Sequence, residues 1–186
     1  SGYSGGGEGV DSEFIPDHTL KDGSKLAGPD WELEAIHTPG HFSNHLCFGW
    51  QEAAFTGDHI MGWASSMVSP PDGDMGDFIR SCETLLQRDW KVFYPGHGDI
   101  VQTPNARIRE LLAHREHRER SILAALSVEG RSIKEITKNV YLDTSDALLP
   151  AAERNVFAHL IDLCERQKAI CDEPIRFESQ FRSLTS

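Results

Sequence analysis

Cysteine is sparse in this chain, and its placement carries no chemistry of its own. Cys47, Cys82, Cys164 and Cys171 are scattered over 186 residues without a Cys-x-x-Cys pair. That spacing argues against a zinc finger or a dithiol redox motif, and leaves reduced, buried thiols in a cytoplasmic protein as the expectation. Long apolar runs are also missing. No stretch approaches the roughly 20 apolar residues of a membrane-spanning helix, so no membrane partner is expected. Positive charge is scarce where it would matter most. Residues 1–104 hold five Lys/Arg against sixteen Asp/Glu, a deficit equal to the net charge of the whole chain, −11, whereas residues 105–186 hold thirteen of each sign. Duplex DNA binding relies on a basic face, and the first part of the chain cannot supply one. There is no internal repeat and no low-complexity tract beyond the Gly-rich opening, Ser1 to Gly9.

Against these absences the hydrophobic patterning is well marked, and it changes character near residue 104. Before it, strand-like runs dominate. Trp31 to Ile36 alternates apolar and polar residues with period two, the signature of a half-buried strand. His45 to Trp50 and Ala53 to Thr56 read as two more strands joined by a tight turn at Gln51-Glu52. Phe14-Ile15 and Leu20 to Leu26 read as short strands around an Asp-Gly turn. Gly62 to Gly76 reads as a loop, Asp77 as the start of a helix carrying Phe78, Cys82 and Leu85, and Val92 to Tyr94 as a further strand. After residue 104 the pattern is helical. A long helix starts near Asn105, with His114 to Arg120 as its solvated midsection. A second starts at a capping box, Ser132 with Glu135, and a third covers Pro150 to Arg166. An extended tail, Ala169 to Phe177, completes the helix-helix-helix-wing order of a winged helix.

Three segments set His or Asp at a turn directly after a strand: His37-Thr38-Pro39-Gly40-His41, Thr56-Gly57-Asp58-His59 and Tyr94-Pro95-Gly96-His97-Gly98. Zinc takes imidazole nitrogen and carboxylate oxygen, and a catalytic site leaves one position open for water. Ligands distant in sequence converge when each lies at the same edge of a sheet. His41, Asp58 and His97 are therefore the candidate metal ligands, within an acidic half that suits cation binding. His45 and His59 are candidates for contacting substrate or supporting the ligands. His37 is expected to anchor its turn by hydrogen bonding, and His18, His114, His117 and His159 to lie at the surface or in packing. Trp63, Ser65, Ser66 and Met67 sit in the loop after Asp58, where they would line a pocket.

In this order the three segments resemble the later metal-binding motifs of the metallo-β-lactamase superfamily. Phe42 to Phe48, Met67 to Met75 and Leu148 to Leu160 are similar to the branch with a C-terminal winged-helix-like extension, which includes β-lactamase-like endoribonucleases and hydroxyacylglutathione-hydrolase-like proteins. The resemblance implies an α/β fold. Residues 1–104 would be the C-terminal portion of the metallo-β-lactamase-fold domain, within an αββα sandwich, and residues 105–186 a winged-helix-like domain. It also implies two zinc ions, one held by His41, the other by His97, with Asp58 bridging both as the catalytic carboxylate. The activity implied is hydrolysis of a small ester-, thioester- or phosphodiester-like substrate by a metal-bound hydroxide. Two other readings stay open: an endoribonuclease acting on single-stranded RNA, and an inactive binding module using the winged helix.

The family's earlier His-x-His-x-Asp-His cluster is nowhere in the 186 residues. The expectation is accordingly the C-terminal part of a longer enzyme, inactive by itself and a weak binder of zinc. The candidate recognition helix carries Arg154 and Arg166 but also Glu153, Asp162 and Glu165. Such a mixed face suits packing on the hydrolase domain or homodimerisation rather than insertion into a DNA groove.

Overall fold

The computed structural model describes residue 13 and residues 15–184. The Gly-rich opening and Phe14 lie outside the described residues, and Ile15 belongs to no strand. Five strands form one sheet in sequential order: β1 (Lys25–Ala27), β2 (Glu32–His37), β3 (Leu46–Trp50), β4 (Ala53–Gly57) and β5 (Val92–Pro95). The first four run antiparallel as a meander, and β5 lies parallel to β4. A parallel neighbour needs a crossover, which the loop after β4 and helix α1 (Met75–Leu85) provide. The turn between β3 and β4 is the expected tight one, with Gln51 at φ 53°. Of the segment Leu20 to Leu26, only its end is strand, in β1.

Pairing register sorts the strand residues onto two faces. Phe48 lies opposite Phe55, and Phe55 opposite Tyr94. On this face the Phe55 ring stacks on Tyr94 at 5.4 Å and remains largely open. The alternate row, Gly49, Ala54 and Phe93, faces the other way and is buried. Ile36, Cys47, Ala54 and Phe93 form one apolar cluster with Phe78 and Cys82 of α1 and with Ile108 and Leu111 of α2 (Pro104–Ala125).

Helix α1 begins at Met75, not at Asp77. Asp74 is its cap and accepts a bond from the Asp77 backbone N–H at 2.7 Å. Two aspartates three residues apart compete for that role, and the one whose backbone is extended takes it. Asp77 sits in the first turn, where a carboxylate suits the helix dipole.

Three helices gather a second apolar cluster. Ile122 of α2, Ile133 and Ile136 of α3 (Ile133–Val140), and Val156, Leu160 and Leu163 of α4 (Leu149–Glu165) pack with Phe181. Helix α2 thus serves both clusters, its first half under the sheet and its last turns in the helical module. Helix α3 carries the full Ser132–Glu135 capping box. The wing is smaller than expected and reaches further along the chain: β6 (Ile170–Cys171) pairs with β7 (Phe181–Arg182), beyond Phe177. Phe181 also exchanges backbone bonds with Arg131 at 2.9 and 3.0 Å, which tie the wing to the start of α3.

The polar run from His114 to Arg120 departs from expectation at one residue. Arg115 is buried with only 2% exposure, while its neighbours stay accessible. Among the described residues no helix is long and apolar enough to cross a membrane.

Candidate metal centre

The three motif turns lie at the same end of the sheet, where β2, β4 and β5 finish. Gly57 O accepts the Gly96 N–H at 2.8 Å, which joins the Asp58 turn to the His97 turn. Glycine at 96 has a steric cause: a Cβ there would lie 2.9 Å from Asp58 Oδ1. Gly40 has a positive φ of 135°, and a Cβ there would collide with the Phe78 backbone. Helix α1 braces this first turn directly, since Asp74 N–H donates to Gly40 O at 3.0 Å and Ser81 Oγ to Pro39 O at 2.7 Å.

Asp58 and His97 come together. His97 Nε2 stands 3.7 Å from Asp58 Oδ2, within ion-pair range but too long for a hydrogen bond. The His97 side chain is 71% exposed and that of Asp58 34%. Asp58 Oδ1 is shielded from solvent and has no hydrogen-bond partner among the described residues. His41 is held separately: its Nδ1 lies 2.7 Å from Met67 O. A carbonyl only accepts, so Nδ1 carries the proton, and in the neutral ring Nε2 then keeps its lone pair. That is the tautomer in which a metal-ligating histidine is commonly locked by its neighbours. Among the described residues, no three or more His, Cys, Asp or Glu side chains are gathered into a group able to hold a metal ion.

His45 and His59 differ sharply from each other. His45 Nδ1 meets Thr38 Oγ1 at 2.8 Å, Thr38 Oγ1 donates to Cys47 Sγ at 3.2 Å, and Cys47 Sγ to Thr56 O at 3.7 Å. With every donor in this chain pointing inward, His45 donates through Nδ1 and keeps the Nε2 lone pair on the side of Gly57. Burial, with His41 nearby, pushes its pKa down to about 4. His59 is fully buried, 4.7 Å from the Phe78 ring and 5.8 Å from that of His45. Burial pushes it to about 3. Direct contact between His59 and a substrate is therefore closed; its ring packs behind His45. His37 Nε2 lies 2.9 Å from Ser43 O, the turn-anchoring bond expected of it.

The loop after Asp58 divides in the same way. Trp63 and Met67 are exposed at 71% and 50%. Ser66 does not line a pocket; it is buried, and its Oγ donates to Asp58 O in a short bond and to His59 O at 2.8 Å. Thr38, Cys47 and Arg115 are residues around the site to which the sequence assigned no role, and Ser66 takes a different role from the pocket lining expected of it. Each acts through a backbone carbonyl or a neighbouring side chain, so no spacing in the sequence announces it.

With this arrangement in view, comparison with known proteins is decisive. Residues 132–174 match the family model of the beta-lactamase associated winged helix domain. Residues of this chain are 32% identical over 151 positions to a beta-lactamase-like protein 2 homolog of Caenorhabditis elegans, covering 80% of this chain and 50% of that protein. The Drosophila melanogaster counterpart is 29% identical over 150 positions, covering 78% and 50%. A metallo-beta-lactamase family protein from Thermus thermophilus superposes with a TM-score of 0.75 at 24% identity, over 88% of this chain and 53% of that one. The chain belongs to the metallo-β-lactamase superfamily. Within it, this member carries a C-terminal winged-helix domain, and its mixed α/β architecture is that of the superfamily fold. It spans about half the length of the curated relatives it matches.

Proposed function

We propose that this metallo-β-lactamase-fold chain supplies part of the metal centre of a hydrolase acting on a small ester- or thioester-like substrate. The observation that carries the reading is Asp58: a carboxylate oxygen shielded from solvent, with no hydrogen-bond partner among the described residues, on a side chain beside His97 where two motif turns are joined. Leaving such an acceptor unmatched costs about 1–3 kcal/mol or more, a cost that cation binding offsets. The donor chemistry fits a divalent metal such as zinc: one carboxylate and two imidazoles, with the Nε2 of His41 left as a lone pair. Among the described residues only Asp58 and His97 are drawn together, with His41 held apart, so the reading requires His41 to close in and further ligands to complete the coordination shell.

A metal bound there would supply Lewis acidity toward water and toward the oxygen that gains charge in hydrolysis. The chain's own residues have distinct tasks. Asp58 would hold the cation through a carboxylate oxygen, and His41 and His97 would each offer a ring nitrogen to it, that of His41 oriented by its bond to Met67 O. Trp63 and Met67 offer apolar surface beside the site. The acidic balance of residues 1–104 favours a small, weakly charged substrate over single-stranded RNA.

The test is Asp58→Ala in the full-length protein, with metal content and ester hydrolysis measured side by side. Loss of turnover together with loss of bound metal is the expected outcome. Wild-type turnover with metal fully retained would sink the assignment.

A further inference from the structure

Three arginines from the helical side of the molecule grip the loop that follows Asp58. Arg107 of α2 donates from Nε to Met61 O and from Nη2 to Ala64 O, each at 2.9 Å. Further along α2, Arg115 donates from Nη2 to Ser66 O in a short bond and from Nη1 to Asn155 Oδ1 of α4 at 2.9 Å. Arg154 of α4 reaches Ser69 Oγ at 3.4 Å. Arg115 is the unusual member. Its guanidinium lies 5.0 Å from the centre of the Phe78 ring, is almost wholly buried, and has no carboxylate partner among the described residues. Burial holds its pKa down to about 10. A buried charge without a counter-charge costs several kcal/mol in a real protein, so packing alone is a poor reason to place one here.

What Arg115 holds is the junction of the candidate metal centre. Ser66, whose carbonyl it grips, donates from Oγ to the carbonyls of Asp58 and His59. The next residue, Met67, supplies the carbonyl that fixes the ring of His41. Two of the three candidate ligands are thus braced by adjacent residues of one loop, and the guanidinium seats that loop against α1, α2 and α4. We propose that Arg115 is a positioning residue for the metal centre, holding Ser66 and Met67 so that Asp58 keeps its aim and His41 keeps the tautomer with a free Nε2. This inference rests on the metal reading of the site; it adds a link from the winged-helix side to the ligands.

A merely structural arginine would lower stability without touching His41, and that difference makes the test. Long-range proton–nitrogen correlation spectra of the metal-free, 15N-labelled chain at pH 8 report which nitrogen of His41 carries the proton. The wild type should show Nδ1–H. Arg115→Met should move the ring toward a mixture with Nε2–H, and should weaken Co(II) binding about 10- to 100-fold, as loss of ligand-supporting partners does. Asn155→Ala removes one of the two guanidinium acceptors and should act in the same direction, less strongly. Ile136→Val, in the second cluster, should lower the melting temperature and leave His41 alone.

An unchanged His41 tautomer in folded Arg115→Met overturns the proposal; if that variant does not fold, the same result in Asn155→Ala does. A His41 shift in Ile136→Val as large as that in Arg115→Met overturns it too, because general loosening would then explain both. Failure of the metal reading looks different. In that case Co(II) leaves the wild-type signals of His41 and His97 unbroadened, whatever the tautomers do.

Discussion

At the end of the sheet, Asp58 is partly open and His97 mostly so, and one Asp58 oxygen has no hydrogen-bond partner among the described residues. Where the helices pack on one another, by contrast, Arg115, Thr137 and His159 are sealed almost completely. The sealed groups are not all satisfied either: among the described residues, Arg115 Nε, Thr137 Oγ1 and both ring nitrogens of His159 lack hydrogen-bond partners. Polar groups at the edge stand where a ligand can reach them. Those in the seam instead join two apolar clusters, and Arg115 spends its remaining donors on a loop carbonyl and on Asn155. Position relative to the seam, more than residue type, decides whether a polar side chain here is available for chemistry.

The strongest way to break this comparison is to cut one cavity on each side. Phe78 lies under the site, against His59 and the Arg115 guanidinium. Phe181 lies in the helical cluster, tied to Arg131. Both are fully buried, so either change to Ala should cost about 3–5 kcal/mol in urea unfolding. Only Phe78→Ala should disturb the ring signals of His41 and His97. Equal disturbance by Phe181→Ala would mean that the seam does not separate the two regions.

Much of this contrast was hidden in the sequence. Strands whose faces alternate, such as Glu32–His37, were legible because period two survives any tertiary arrangement. The Ser132–Glu135 box was legible for the same reason: its bonds are local. Superfamily membership was readable from three turn motifs and is supported by the comparisons. Arg115 was not legible, because His114 to Arg120 is polar at every position and nothing local marks the one residue that turns inward. The wing was misplaced because its second strand is only two residues long and is fixed by pairing to Ile170–Cys171 and Arg131, not by its own pattern. Ser66 failed as a pocket residue for a similar reason: its hydroxyl turns back onto the chain it follows.

A smaller effect sharpens the comparison through pH. Burial first, and then Arg115 and Arg118, push the His159 pKa down to about 3, with Glu119 pulling the other way. An unfolded chain binds that proton near the ordinary pKa of about 6.5. The sign follows: the stability tied to neutral His159 is fully present above about pH 6.5 and is lost as pH falls toward 3, because the unfolded state takes up the proton first. The slope is about 1.4 kcal/mol per pH unit, so roughly 2 kcal/mol is gone at pH 5. His159→Leu removes both unpartnered nitrogens at similar size. It should therefore flatten the acid limb of stability by that amount and leave the wild type and variant close together at pH 7. An acid limb of unchanged slope in the variant would show that the helical seam does not set the molecule's acid sensitivity.

The mildest prediction concerns a bond that belongs wholly to the helical side. Ser132 Oγ accepts the Glu135 N–H at 3.4 Å, while the Glu135 carboxylate accepts from Ser132 N–H at 2.8 Å. The first of these is long, and the Ser132 hydroxyl also donates to Glu135 Oε2 at 2.6 Å, all on an exposed surface where water can replace the lost bonds. Ser132→Ala should cost about 1 kcal/mol or less, read as a small drop in the urea midpoint with an unchanged slope. Because α3 packs on α2 and α4, and no hydrogen bond among the described residues joins its side chains to the loop after Asp58, Co(II) affinity and the His41 tautomer should not move. A change in either would place α3 within the network that Arg115 anchors, and the boundary between the supporting and ligand-bearing regions would have to be redrawn on the far side of that helix.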